Sequence, residues 1–239
     1  MTLRKRCLWL LALAAVLGAL GTAWAVWNGY ILLNDPKDYP VRGVDVSSYQ
    51  GEIDWEALGR QGIAFAFIKA TEGTTLTDRC YQANAAGARA AGMPFGAYHF
   101  FTTTSPGRTQ AENFIAAIGA DSGELPPVID LEVQGEQVAE ELAIMVAALE
   151  DAYGTAPILY VTGETYRLYV EGRYPDCPVW IRSVYRAPAV AWTFWQYANR
   201  GRLEGYEGSE PFIDLNVFNG TAAEFSAFTG QRCPTPQTA

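Results

Sequence analysis

The chain's 239 residues, 49% of them hydrophobic, suffice for one sizeable core, and a single α/β barrel runs to this size. A formal charge of −9, with no basic patch beyond the N-terminus, excludes nucleic acid as an expected partner. One histidine and four cysteines without zinc-like or CxxC spacing argue against a His-ligated hydrolytic metal site and a dithiol redox pair.

In chain order, Arg4-Lys5-Arg6 precedes an uncharged run over 7–33. Its part 7–20 has the length of a signal-peptide core, and Ala23-Trp24-Ala25 offers a cleavage site. About 20 apolar residues also span a bilayer. Because the apolar character reaches Trp27 and resumes at Tyr30, an uncleaved anchor with its basic cluster in the cytoplasm is the favoured reading. Residues 1–33 are thus an anchor or signal peptide, 34–40 a polar linker, 41–228 the folded body and 229–239 a short tail. On either reading the body is exported, and a monomer is expected. Cys7 belongs to the apolar segment; pairing among Cys80, Cys177 and Cys233 stays open, as does their role as small buried hydrophobes.

The body alternates strands and helices. Strands are predicted over 42–46, 63–70, 94–100, 126–132, 157–161, 178–181, 191–197 and 212–217. Helices are predicted from Asp54, which suits an N-cap, over 78–91 ahead of Gly92, from Ser105-Pro106, over 136–153 ahead of Gly154, and briefly over 164–170. The last strands are joined by loops rich in Gly, Pro and Arg. This rhythm predicts an α/β fold with a parallel sheet: a TIM-like barrel, irregular (β/α)5(β)3, its helices missing in the second half.

Chemistry in such a barrel sits at the C-terminal ends of the strands. Acids recur there: Asp45 on the first strand, Asp130 and Glu132 on the fourth, Asp214 on the last. Alternation points Asp130 and Glu132 the same way, with Cα atoms roughly 6.5–7 Å apart. Such crowding raises the pKa of one carboxyl, which suits a proton donor near neutral pH. Lys69 and Glu72 follow the second strand and Tyr98 ends the third. His99 alternates away from Tyr98 and reads as a core histidine. No G-x-S-x-G elbow, P-loop or dinucleotide fingerprint occurs. Carboxylates without a metal or organic cofactor narrow the chemistry to glycoside cleavage.

The wording of these segments resembles glycoside hydrolase family 25, the muramidase-type lysozymes. The matching blocks are Arg42-Gly43-Val44-Asp45-Val46-Ser47-Ser48-Tyr49-Gln50-Gly51, Phe67-Ile68-Lys69-Ala70-Thr71-Glu72-Gly73, Gly96-Ala97-Tyr98-His99-Phe100 and Asp130-Leu131-Glu132. Trp195-Gln196-Tyr197 and Asp214-Leu215-Asn216-Val217-Phe218 close the series, which spans about 41–228 in order. The resemblance implies cleavage of the β-1,4 bond between N-acetylmuramic acid and N-acetylglucosamine in peptidoglycan strands. It implies Glu132 as general acid, with Asp130 steering the substrate's acetamido group as nucleophile; an inverting route through an activated water stays open. Asp45 and Asp214 would flank the anomeric centre, and Lys69, Glu72, Tyr98, Tyr160, Trp195 and Gln196 would bind the sugars. Arg182, where a small residue is usual, and the loop 206–211 depart from the family pattern at the cleft rim. Two rivals remain: a tethered wall-binding module with weak or no turnover, and a chitinase-like hydrolase. Pro126, Pro127 and Val128 stand where the latter carries further acids.

Overall fold

The computed structural model describes residues 2–230. Cys233 and the tail from 231 onward lie outside the described residues, while Thr229 and Gly230, read as tail, end a helix. Eight strands close into a barrel: β1 (Arg42–Val46), β2 (Ile63–Glu72), β4 (Phe95–Phe100), β5 (Val128–Leu131), β6 (Ile158–Thr162), β7 (Val179–Arg182), β8 (Phe194–Gly201) and β9 (Ile213–Phe218). A two-residue strand, β3 (Leu76–Thr77), forms a hairpin on the end of β2.

Helices follow the first five barrel strands: α2 (Trp55–Arg60), α3 (Tyr81–Ala90), α4 (Gly107–Ile118), α5 (Val138–Tyr153) and α6 (Gly163–Thr165), which runs into a π-helical turn over Tyr166–Val170. β7, β8 and β9 are joined by loops, so the (β/α)5(β)3 pattern holds. Local chemistry sets the ends. Asp54 Oδ1 accepts from Ala57 N at 2.9 Å and starts α2. Pro106 stands just outside α4, not at its first position, and Gly107 lets that helix approach α5 so closely that a Cβ would lie 1.9 Å from the Glu141 carbonyl oxygen.

The expected parallel sheet needs one correction. β9 runs antiparallel to both neighbours, β8 and β1, while the other barrel pairs are parallel. A parallel return needs a crossover, commonly a helix, and residues 202–212 contain none.

Two apolar layers hold the barrel. Outside, Ile68, Ile129, Leu131 and Leu159 face Phe114, Leu142, Met145 and Leu149 of the helices. Inside, Phe65, Phe67, Trp180, Phe194 and Phe218 fill the lower barrel, and α7 (Ala222–Gly230) brings Phe225 and Phe228 against them. Phe67 stacks on Trp180 at 4.1 Å between ring centroids, so the packed floor rises to the level of Trp180. α1 (Leu3–Trp27) meets the barrel at its C-terminal end, and none of its stretch Cys7–Trp27 is buried. The segment 34–40 is docked to the barrel rather than a free linker: Asn34 Nδ2 donates to the Val184 carbonyl at 2.8 Å, and Tyr39 packs on the outer core.

Removing part of the inner plug should be costly. Phe67→Ala is expected to destabilise the chain by about 3–5 kcal/mol, read as a lower urea midpoint; a shift below about 1 kcal/mol would show that the floor is not close-packed.

Candidate active site

The upper barrel holds a cavity of about 510 Å³ at the C-terminal ends of the parallel strands. Alternation along each strand turns Asp45, Asp130, Glu132 and Asp214 into it. Asp214 reaches this end because β9 is reversed: it is the second residue of β9, at the N-terminal end of an antiparallel strand, and pairs directly with Asp45.

Asp45 is buried and well held. Its Oδ2 accepts from Asn216 Nδ2 at 2.7 Å and from Gln196 Nε2 at 3.0 Å. Each amide is itself oriented, since Trp180 Nε1 donates to Asn216 Oδ1 at 2.8 Å and the Tyr160 hydroxyl to Gln196 Oε1 at 2.9 Å. Burial pushes the Asp45 carboxyl up, while these donors and Asp214 favour its charged form. Burial pushes Asp214 well above the ordinary carboxylate range, and the adjacent charge of Asp45 pushes it further. Two desolvated carboxyls side by side disfavour both being ionised at once, and the amide donors favour the charged form of Asp45.

Asp130 and Glu132 differ sharply in surroundings. Asp130 is buried, and its Oδ1 has no hydrogen-bond partner. Burial raises its pKa well above the ordinary range; Glu132 and Asp45 add to the rise, and Lys69 and Arg182 oppose it. Glu132, one residue beyond β5, is exposed at the mouth. The crowding expected of this pair thus weighs on Asp130.

Lys69 and Tyr98 line the cavity. Lys69 Nζ binds Glu72 Oε2 at 2.6 Å and lies 5.0 Å from the centre of the Phe100 ring. A bulge between Lys69 and Thr71 puts Lys69 opposite Tyr98 and Glu72 opposite Phe100, so both face inward although three residues apart. Glu72 itself reaches only the rim, as Lys69's ion-pair partner. Tyr160 and Gln196 border the cavity floor but spend their polar atoms on the Asp45 network. Trp195 is a correction. It lies on the outer face of β8, 4% exposed, with its Nε1 bonded to the Ser183 carbonyl at 3.0 Å. Its neighbour Gln196 takes the inward position.

Asn216 and Trp180 hold the site without having been singled out for it; the signal was their spacing, two residues from Asp214 and Arg182 on the same strand faces. Arg182 enters the cavity and favours the charged forms of Asp130 and Asp214. His99 is a core residue, bonded to Thr71 Oγ1 at 2.7 Å and Gln110 Oε1 at 3.2 Å, and burial lowers its pKa to about 4. Cys80 and Cys177 are free thiols, Cys177 buried and pushed up to about 12 by burial. Among the described residues, no group of three or more His, Cys, Asp or Glu is placed to hold a metal ion.

Comparison with known proteins gives a consistent picture. The sequence profile of glycosyl hydrolases family 25 matches residues 44–206, so its match ends before Asp214. The structure of a family 25 glycosyl hydrolase from Bacillus anthracis superposes with a TM-score of 0.77 at 45% identity, covering 84% of this chain and 99% of that one. YegX of Escherichia coli (strain K12) is 35% identical over 214 residues, 84% of this chain and 78% of that protein. Lysozyme M1 of Streptomyces globisporus is 33% identical over 210 residues, 78% of this chain and 70% of that protein.

The raised pKa of Asp130 carries a stability consequence. Above the unperturbed value of 3.8 the folded chain binds more protons at this site than the unfolded chain does, so its contribution to stability falls as pH rises through that window. Asp130→Asn should therefore raise the melting temperature near neutral pH, with the gain shrinking as pH falls towards 4. A melting temperature that drops, or a gain independent of pH, would contradict the assignment.

Proposed function

The chain belongs to glycosyl hydrolase family 25, and from that premise we infer that it is a peptidoglycan muramidase cleaving between N-acetylmuramic acid and N-acetylglucosamine. The observation that carries the mechanism is the buried, unpartnered Asp130 Oδ1 beside an exposed Glu132. A buried oxygen without a partner costs about 1–3 kcal/mol, a penalty relieved when a ligand supplies a donor. The N–H of a sugar's acetamido group is such a donor.

In this reading Glu132 gives its proton to the glycosidic oxygen as the bond to the anomeric carbon breaks. Asp130 holds the acetamido N–H and turns the acetamido carbonyl oxygen onto that carbon, closing a ring. Asp45, fixed by Asn216 and Gln196, places negative charge where positive charge develops, with Asp214 beside it. Water then opens the ring, and its proton returns to Glu132. Tyr98 and Lys69 bind the sugar from the stretch of wall between Asp45 and Asp130, with Glu72 holding Lys69 in place. Family membership sets aside the chitinase-like alternative, and the four inward carboxylates speak against a site without turnover.

α1 supports a membrane-tethered location. Its stretch Cys7–Trp27 has 21 residues, a mean hydropathy of 2.0 and no burial. At 1.5 Å per residue it is about 32 Å long, close to the hydrocarbon thickness of a bilayer. With Arg4-Lys5-Arg6 cytoplasmic, the barrel lies outside as a single-pass, membrane-tethered monomer.

Glu132→Gln removes the proton donor and little else. It should fold with an unchanged melting temperature and lose about 10²–10⁴-fold in the rate of wall lysis, measured as the fall in turbidity of purified bacterial walls. Lysis at the parent rate would refute the role of Glu132.

A further inference from the structure

The end of α1 does not lead into a slack tether. Arg200 Nη1 donates to the Trp27 carbonyl at 2.6 Å, and Arg202 Nε to the Asn28 carbonyl at 2.6 Å. These are the carbonyls a helix leaves unpaired at its C-terminus, where cations are also favoured by the helix dipole. The two guanidinium groups stack as well: Arg200 lies 4.2 Å from the Trp27 ring centre and Arg202 lies 4.6 Å from that of Tyr30. Both flank Phe212, at 5.0 and 5.1 Å.

Glycine completes the joint. Gly29 has φ +69°, and a Cβ there would lie 2.1 Å from the Arg200 carbonyl oxygen. Only a residue without a side chain lets the chain turn that tightly against β8. Beyond it, Leu32 packs on the outer core and Asn34 bonds to the Val184 carbonyl.

The joint sits at the catalytic end of the barrel. Arg200, which grips α1, and Phe212, against which it packs, also line the carboxylate cavity. Around them the surface is apolar and uncovered: Trp27 is 68% exposed, Tyr30 62%, Leu33 54% and Tyr185 81%. Tryptophan and tyrosine at the end of a spanning helix mark the headgroup layer.

We propose that α1 is a rigid presenter as well as an anchor: the Arg200/Arg202 clamp holds the mouth of the barrel against the outer bilayer surface, so the cavity takes glycan strands attached to the membrane ahead of strands in the distant wall. The occupant of the exposed apolar rim is the outer leaflet itself, continuous with the span of α1. The substrate part rests on the muramidase reading; the clamp does not.

The test uses the full chain in nanodiscs of phosphatidylethanolamine and phosphatidylglycerol. A donor dye on Tyr185→Cys, in a background where the native cysteines are serine, is read against an acceptor on lipid headgroups. Energy transfer should be high in the parent and fall several-fold when a Gly/Ser spacer follows Asn28, or in Gly29→Val combined with Arg202→Ala. Equal transfer in parent and spacer chains would overturn the clamp. In parallel, each chain is given soluble muropeptide oligomers and membrane-attached glycan strands polymerised on proteoliposomes. Soluble cleavage should be the same in all chains, which also shows that the variants fold, while cleavage of attached strands should drop several-fold in the spacer chain. Undiminished cleavage of attached strands would overturn the presenting role. Absence of cleavage in every chain, with energy transfer behaving as stated, would refute the muramidase reading and leave the clamp standing.

Discussion

One carboxylate oxygen accepting two side-chain amides ties the barrel's closure to its chemistry. Asp45 Oδ2, on β1, takes Gln196 from β8 and Asn216 from β9, so the three strands that close the cylinder meet at one buried charge. A buried charge left without donors would be costly, and two charge-assisted hydrogen bonds of this kind are among the stronger protein contacts. The same pair of amides favours the charged form of Asp45. Fold and site are therefore coupled: a slip of β9 by one residue would turn Asn216 away and Asp214 outward together.

The aromatic interior sets the depth at which this happens. Phe67, Trp180 and Tyr160 pack in series, at 4.1 Å and 4.4 Å between ring centres, and the top of that stack is the cavity floor. Trp180 contributes its ring to the packing and its Nε1 to Asn216. The floor excludes water from beneath the carboxylates, which is why burial dominates the shifts of Asp45, Asp130 and Asp214. Above the floor Glu132 remains solvent-facing, while the other three acids sit in a low-dielectric pit.

Much of this was legible in the chain itself. Short apolar runs alternating with helices located all eight barrel strands, and acids at Asp45, Asp130, Glu132 and Asp214 converge in the cavity. The reversal of β9 was not legible, because apolar alternation carries no direction. Trp195 was misplaced because an aromatic suits either face of a strand, and only the register against β7 decides that Gln196 points inward. The bulge at Ala70 likewise has no mark in composition. α7 did leave one: Thr221 and Glu224 form a reciprocal N-terminal cap, with Thr221 N to Glu224 Oε2 at 2.7 Å and Glu224 N to Thr221 Oγ1 at 3.2 Å. That T-x-x-E pattern precedes Phe225 and Phe228, the two rings that seal the barrel's base.

What separates this arrangement from an ordinary acid pair is the task we propose for Asp130, to hold the substrate's acetamido group so that its own oxygen attacks the anomeric carbon. That route passes through two displacements at one centre and so preserves configuration. The most direct measurement is proton NMR of the reducing end released in the first moments of hydrolysis of a defined muramyl glycan, before the anomers equilibrate. The β-anomer is the predicted first product; the α-anomer would mean that water attacks in a single step and that Asp130 has a different role.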